Sequence, residues 1–478
     1  MKKIIRACTV SMSVDFVTGM LPDLMKKYEV VLLSSSGPEM DAARDKYGVR
    51  TIEVPMERHI SLKRDMVSLW RLIKVFWKER PDMVHSMTPK AGLLCMVAAW
   101  LTRVPVRVHT FTGLVFPTAT GLQKRILMAT DALTCFCATH VIPEGEGVKN
   151  DLLNNGITRK PLKVLGYGNV RGIDMKRFDP KRFNDNKTSY DNKTSYDNDN
   201  VNDNKFGEKE DGERVPVSVN VPVKKNDSVF FTFLFVGRIV RDKGMNELMA
   251  AFDKLCKKYP EARLVLVGPY EDNLDPISQE ARDIIAKNEH IDAVGPKHGD
   301  DLLACYAAAD CFVFPSYREG FPNTVLEAGA MGLPCIVTDI NGSREIITNG
   351  SSYENDNENE NKNVNDNENE NENENKNKNV NDNENDNKDE NDNETLRYEN
   401  QKVKVSVNVN VVVKDNGLII PSKDVEALYE AMELMMTDTE MRQRMAGSAR
   451  QMIADRFEQG FVRRCLYEFY DTVMGRER

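Results

Sequence analysis

The sequence predicts an α/β protein built from two doubly wound parallel-sheet units that are interrupted by two low-complexity inserts. Three observations predict it. Short apolar runs alternate with amphipathic helical stretches over residues 1–183, the same rhythm restarts near residue 229, and two Asn/Asp-rich tracts break the pattern. The chain has 478 residues. Removing both tracts leaves roughly 370, the size of two ordinary domains.

In the first unit, residues 3–9, 28–34, 83–86, 106–110, 140–143 and 162–165 read as strands, with helical periodicity at 62–78 and 92–101. Residues 184–228 follow as a polar insert containing a tandem NKTSYD, from which no apolar core can be built. The second unit offers strands at 230–237, 262–268, 311–315 and 334–339, and helices at 245–258, 302–308 and 324–331. Residues 351–414 form the second insert. The pattern resumes with a strand at 416–421 and helices at 425–436, 440–457 and 461–474. The expected organisation is therefore a first unit at 1–183, a second at 229–350, and its completion at 415–478. The Val/Asn alternation at 403–413 has strand periodicity and could pair with 215–224, although slipped repeats account for it more simply.

Composition bounds the function. Apolar residues make up 41% and mean hydropathy is −0.49, a deficit that the two polar tracts explain. The net charge of −9 averages unlike parts, since residues 1–183 carry roughly +12 while the second tract is acidic. A basic first half suits an anionic ligand or a membrane surface, and nothing points to nucleic acid. Nine cysteines without a CxxC pair suit free thiols in a reducing compartment. No secretory leader is legible at the N-terminus, and the longest apolar run, 91–101, is too short to cross a bilayer. A cytoplasmic protein, peripheral at most on the inner membrane face, is expected. The histidines show no metal-ligand spacing, so no metal is expected.

The chemistry concentrates in YREGFPNTVLEAGAMGLP, residues 317–334. Glu319 falls in the loop after a buried strand, where ligands bind in open α/β sheets, and Glu327 falls one turn into the next helix. Gly320, Phe321 and Pro322 force a tight loop, and Asn323 is expected to cap the helix, leaving the following amides for an anion. Carboxylates bind sugar hydroxyls and amides bind a diphosphate, a combination that suits a nucleotide sugar. The bare spacing of two acids would mean little; its setting gives it weight. In FVGRIVRDKG, Arg238 and Lys243 follow another strand and can neutralise a departing diphosphate. Solvated loop charges are the plainer reading of those two cations, and Arg238 directly after the strand argues against it.

From residue 231 onward the chain resembles the retaining glycosyltransferases of family 4, of the GT-B fold. GRIVRDKG, PSYREGFPNTVLEA, GSREII and NGLIIPSKD follow one another in the family's order. The resemblance implies two Rossmann-like domains facing a cleft, with the acceptor on the N-terminal one, the donor on the C-terminal one, and no cofactor beyond the nucleotide-sugar cosubstrate. It implies that Arg238 and Lys243 hold the diphosphate, that Glu327 binds the ribose and that Glu319 takes the hydroxyls of the sugar. Gly320, Phe321, Asn323 and Thr324 would complete the donor site, and the GSREI turn at 342–346 would touch the donor. Transfer would proceed on the front face, the departing phosphate helping to deprotonate the acceptor.

HSMTPKAGLL (85–94) and RVHTFTGLVFP (107–117) resemble bacterial transferases that extend lipid-diphosphate-linked glycans, which often use UDP-sugars. The expected acceptor is thus a polyprenyl-diphosphate-linked glycan, with His85, Lys90, His109 and Thr112 as its candidate contacts. Thr112 stands where many members of the family carry a histidine. The helix at 61–80 interleaves apolar and basic residues and could rest on anionic headgroups, although a helix packed on the sheet with a solvated basic edge reads slightly better. Two other readings stay open: a nucleotide-sugar binder without turnover, and a nucleotide-sugar epimerase of the same fold.

Overall fold

A computed structural model of the chain describes residues 1–57, 61–183, 206–208, 214–216, 230–272, 275–350 and 410–475. The first unit carries six parallel strands: β1 Lys3–Ala7, β2 Glu29–Ser34, β3 Arg50–Glu53, β4 Met83–Met87, β5 Val106–Phe111 and β6 His140–Pro143. Their order is β3-β2-β1-β4-β5-β6. β1, β4 and β5 are almost wholly buried because helices cover both faces. Helices Leu62–Glu79, Pro89–Leu101 and Gly121–Cys137 close one core, through Leu72, Phe76, Leu94 and Cys135. Leu21–Lys27, Pro38–Tyr47 and the last helix, Gln459–Val473, close the other, through Leu24, Met40 and Tyr470.

The short antiparallel pair β7 Phe206–Glu208 and β8 Arg214–Pro216 stands apart. The second sheet has seven strands: β9 Phe231–Val236, β10 Ala262–Val267, β11 Ile291–Gly295, β12 Cys311–Phe314, β13 Cys335–Thr338, β14 Val412–Lys414 and β15 Gly417–Ile420. Their order is β11-β10-β9-β12-β13-β15-β14, parallel except for the edge strand β14. In both sheets the order reverses beside the first strand, so the C-terminal strand ends open a crevice there.

Several expectations need correction. Residues 162–165 form no strand: they have no ladder partner, and Leu162 and Leu165 pack only partly buried against the two cores. β3, β11 and the helix Gln279–Lys287 were not anticipated; β3 and β11 are half-exposed and too polar to stand out as apolar runs. The suggested pairing of 215–224 with 403–413 falls mostly outside the described residues; where visible, Val215 faces Gly207 and Val412 faces Ile419. The last helix does not complete the second unit alone. It returns to the first, where Tyr470 is fully buried and Asp471 accepts from the Tyr28 hydroxyl at 2.9 Å. Among the described residues no helix is long and apolar enough to cross a membrane.

Candidate functional site

Residues from the ends of β9 and β12 build the centre of the site. The turn after β9 is pressed against Pro315: Gly244 has φ +72°, and a Cβ there would lie 2.0 Å from the Pro315 carbonyl oxygen. Only glycine tolerates both the left-handed backbone and that approach. The packing brings the Lys243 ammonium onto the Glu319 carboxylate, with the Phe314 ring 5.1 Å below it. The Ser316 hydroxyl donates to the same Glu319 oxygen at 2.8 Å. Arg238, also following β9, pairs with Glu271 at 2.5 Å and remains 41% exposed. Both expected diphosphate cations thus stand at strand ends with carboxylate partners.

Helix Asn323–Ala330 leads away from this loop. Asn323 is not its cap; Pro322 holds that position and offers no side-chain bond. The Asn323 side chain instead accepts from Asn169 Nδ2 at 3.0 Å, because the loop after residue 165 crosses over from the first unit. The amides of Asn323 and Thr324 open the helix without a side-chain acceptor. Glu327 is buried, with the Tyr306 hydroxyl donating to Oε2 at 3.1 Å and the Arg171 guanidinium 3.9 Å from Oε1. Burial raises its pKa, and Arg171 then works against that rise. Thr324 is half-buried beside this carboxylate, its carbonyl 3.5 Å from the Tyr306 hydroxyl. Phe321 does not offer its ring to a ligand: it packs on Phe457 at 5.4 Å, leaving only its backbone for a donor.

The two units meet at this loop. A Cβ on Gly320 would lie 2.4 Å from the Thr112 carbonyl oxygen, so Thr112 faces the donor loop through its backbone. A cleft of about 1120 Å³ opens alongside, lined by Val115, Thr118 and Gln123 of the first unit and by Arg238, Tyr317 and Lys423 of the second. Lys243, Glu319 and Glu327 are not part of its lining.

The other acceptor candidates are not where expected. His85 is buried, with its ring nitrogens 2.6 Å from the Tyr470 hydroxyl and 2.7 Å from Thr110 Oγ1. Tyr470, on the returning helix, covers one side of the ring. His109 is buried as well, 2.9 Å from Ser86 Oγ and edge-on to Phe111. Burial holds the His85 pKa well below its ordinary value and lowers that of His109 to about 3, so both rings are neutral. Lys90 pairs with Asp65 at 2.9 Å.

Two groups escaped the sequence reading. Glu345, in the GSREI turn, is engaged with backbone amides. Its carboxylate accepts from the amides of Glu146 at 2.6 Å and Gly147 at 3.1 Å, and from Gly342 at 3.0 Å, clasping the start of helix Glu146–Asn154 in the first unit. Asn341 adds a bond to Asp151 at 2.6 Å. Glu144, just after β6, is 3% exposed, and burial, then the charges of Glu319 and Glu345, push its pKa well above the usual carboxylate range. Proline and glycine around Glu144 hint at a loop, but nothing in the sequence tells that it closes against another domain. Among the described residues no three His, Cys, Asp or Glu side chains gather as a metal-ligand set.

Comparison with known proteins adds the following. The family profile described as "Glycosyl transferases group 1" matches residues 221–392, and that described as "Glycosyl transferase 4-like domain" matches residues 23–168. The chain is 31% identical to the capsular polysaccharide biosynthesis glycosyltransferase CapM of Staphylococcus aureus, over 73% of this chain and 82% of the relative. It is 29% identical to the UDP-Gal:alpha-D-GlcNAc-diphosphoundecaprenol alpha-1,3-galactosyltransferase of Escherichia coli, over 67% of this chain and 73% of the relative. The fold is shared with Alr3699/HepE of Anabaena, solved with UDP and glucose, at a TM-score of 0.64 and 13% identity, covering 99% and 100% of the two chains.

Proposed function

Because the chain belongs to the family 4 glycosyltransferases of the GT-B fold, we propose that it moves a sugar from a UDP-sugar to a lipid-diphosphate-linked glycan, with retention of configuration, in surface polysaccharide synthesis. The observation that carries this reading is the contact of Lys243 with Glu319 beside the uncapped helix at Asn323. Cation, amides and carboxylate there serve the two ends of the bond to be broken. The diphosphate lies against Lys243, Arg238 and the amides of Asn323 and Thr324. Glu319 accepts hydroxyls of the sugar, and Glu327, held by Tyr306, accepts those of the ribose.

In the step itself, the bond from the anomeric carbon to the diphosphate oxygen breaks and a bond to the acceptor oxygen forms on the same face. The acceptor proton passes to the departing phosphate. Lys243 and Arg238 balance the charge that develops on that phosphate, the part a metal ion would otherwise take. Both exchange a carboxylate partner for the phosphate when the donor binds. The acceptor reading draws on the galactosyltransferase relative, whose name specifies a diphosphoundecaprenol-linked GlcNAc.

The test is UDP release from a panel of UDP-sugars, with and without a lipid-diphosphate acceptor. Acceptor-dependent release with one donor is expected. Binding of donors without release from any of them would leave a sugar-nucleotide binder, and release or isomerisation without acceptor would favour hydrolysis or epimerisation.

A further inference from the structure

All three tryptophans of the chain are exposed, and all lie on one pair of neighbouring helices. Trp70 and Trp77 are 56% and 69% exposed on Leu62–Glu79, and Trp100 is 46% exposed at the end of Pro89–Leu101. Tryptophan is highly buried on average, so three exposed together need a cause. On the first helix, Met66, Trp70 and Trp77 recur at helical spacing along one stripe, opposite the buried Ser68, Leu72 and Phe76. The third helix of the layer, Gly121–Cys137, repeats the arrangement: Leu122, Ile126, Leu133 and Phe136 are exposed along one stripe. The three helices pack side by side, and the Trp100 and Phe136 rings stand 6.1 Å apart, so the stripes join into one plate.

The charges on this plate have one sign. Arg71, Lys74 and Lys78 are exposed along the first helix, and Lys124 and Arg125 stand on the third. Lys74 lies 3.3 Å from the centre of the Trp70 ring. The three helices carry only three acids. Asp65 is taken by Lys90 and Glu79 by Lys3 and Arg50, while Asp131 sits half-buried within its helix. Interfacial aromatic rings beside cations that have no carboxylate partner among the described residues match an anionic lipid surface better than a protein partner.

We propose that this three-helix plate seats the protein on an anionic bilayer, with Trp70, Trp77 and Trp100 at headgroup depth. The proposal extends beyond the transfer reaction and does not need it. The plate spans the whole layer: its helices begin at the C-terminal edge of the sheet, where the Thr112 loop meets the loop after β12, and Trp77, Trp100 and Phe136 lie at the far ends of those helices.

Vesicles of phosphatidylcholine, alone or mixed with phosphatidylglycerol, test this without donor or acceptor, so its outcome is independent of the transfer assay. The whole tryptophan emission of the protein comes from the plate. Binding to the anionic vesicles is expected to shift that emission to the blue, shield it from acrylamide and weaken with salt. The triple variant Arg71→Glu, Lys74→Glu, Lys78→Glu is expected to bind at least about tenfold more weakly. The double variant Trp70→Ser, Trp77→Ser should lose about as much, with unchanged melting of both variants ruling out misfolding. Absence of binding, binding without a spectral shift, or variants that bind like the parent would overturn the proposal. So would a stable dimer whose emission is already blue before vesicles are added.

Discussion

Lys243 and Glu319, 76 residues apart in sequence, touch at the floor of the interdomain loop and join the end of β9 to the loop after β12. Each is the other's partner and both are largely buried, so neither side chain is a free surface charge. On the function proposed above, the pair keeps a cation poised for phosphate and a carboxylate poised for a sugar hydroxyl, at the cost of one ion pair to be exchanged.

Replacing Lys243 by Ala is expected to lower kcat by about 10²- to 10³-fold, the range for losing one group that stabilises developing negative charge. Lys243→Arg should recover part of it. Glu327→Gln, which keeps the packing against Tyr306, should instead weaken UDP binding by about ten- to a hundredfold. Steady-state kinetics and calorimetric titration of UDP check both, and the reverse pattern would exchange the roles given to the two residues.

Glu345→Ala removes the acceptor shared by three backbone amides, two of them across the domain boundary. The expected loss is about 1–3 kcal/mol of stability. Small-angle scattering of the donor-free variant should show a larger radius of gyration. An unchanged radius would mean that other contacts alone hold the domains together.

Glu144 supplies a pH signature. Its folded pKa lies well above the ordinary 4.5, so the folded state holds a proton that the unfolded state releases. Stability from this group is complete below pH 4.5 and is lost as pH rises toward the folded value. Glu144→Gln, which stays neutral, should therefore gain in melting temperature over the parent as pH rises from acid to neutral. A gap that narrows with pH would contradict this.

His85→Ala should cost about 2–3 kcal/mol of stability, through two lost hydrogen bonds and a cavity behind Tyr470. The KM for acceptor should hardly change in the surviving folded protein. A selective rise in that KM would restore His85 to the acceptor site.

Much of this was legible from the sequence, for definite reasons. Buried parallel strands such as β9 and β12 are continuous apolar runs, and the donor loop between β12 and its helix is built from contiguous residues, so Glu319 and Glu327 could be placed together. β3 and β11 were invisible because half-exposed strands dilute their apolar pattern. Asn323 looked like a cap because its partner, Asn169, comes from 154 residues away. For the same reason His85 looked available: Tyr470, which covers it, arrives from a helix 385 residues later that returns to the first domain. The GSREI turn read as a donor contact for want of the helix start that Glu345 clasps. Local chemistry was readable, whereas closure between domains was not.

The most direct test of the central claim is the product itself. The protein, a labelled UDP-sugar and a polyprenyl-diphosphate-linked monosaccharide are incubated with a chelator, and the lipid product is analysed by mass and by the anomeric proton coupling in NMR. One added sugar in the α configuration of its donor, formed despite the chelator, is the predicted result. A β-linked product, or none with any donor while UDP-sugars still bind, would contradict it.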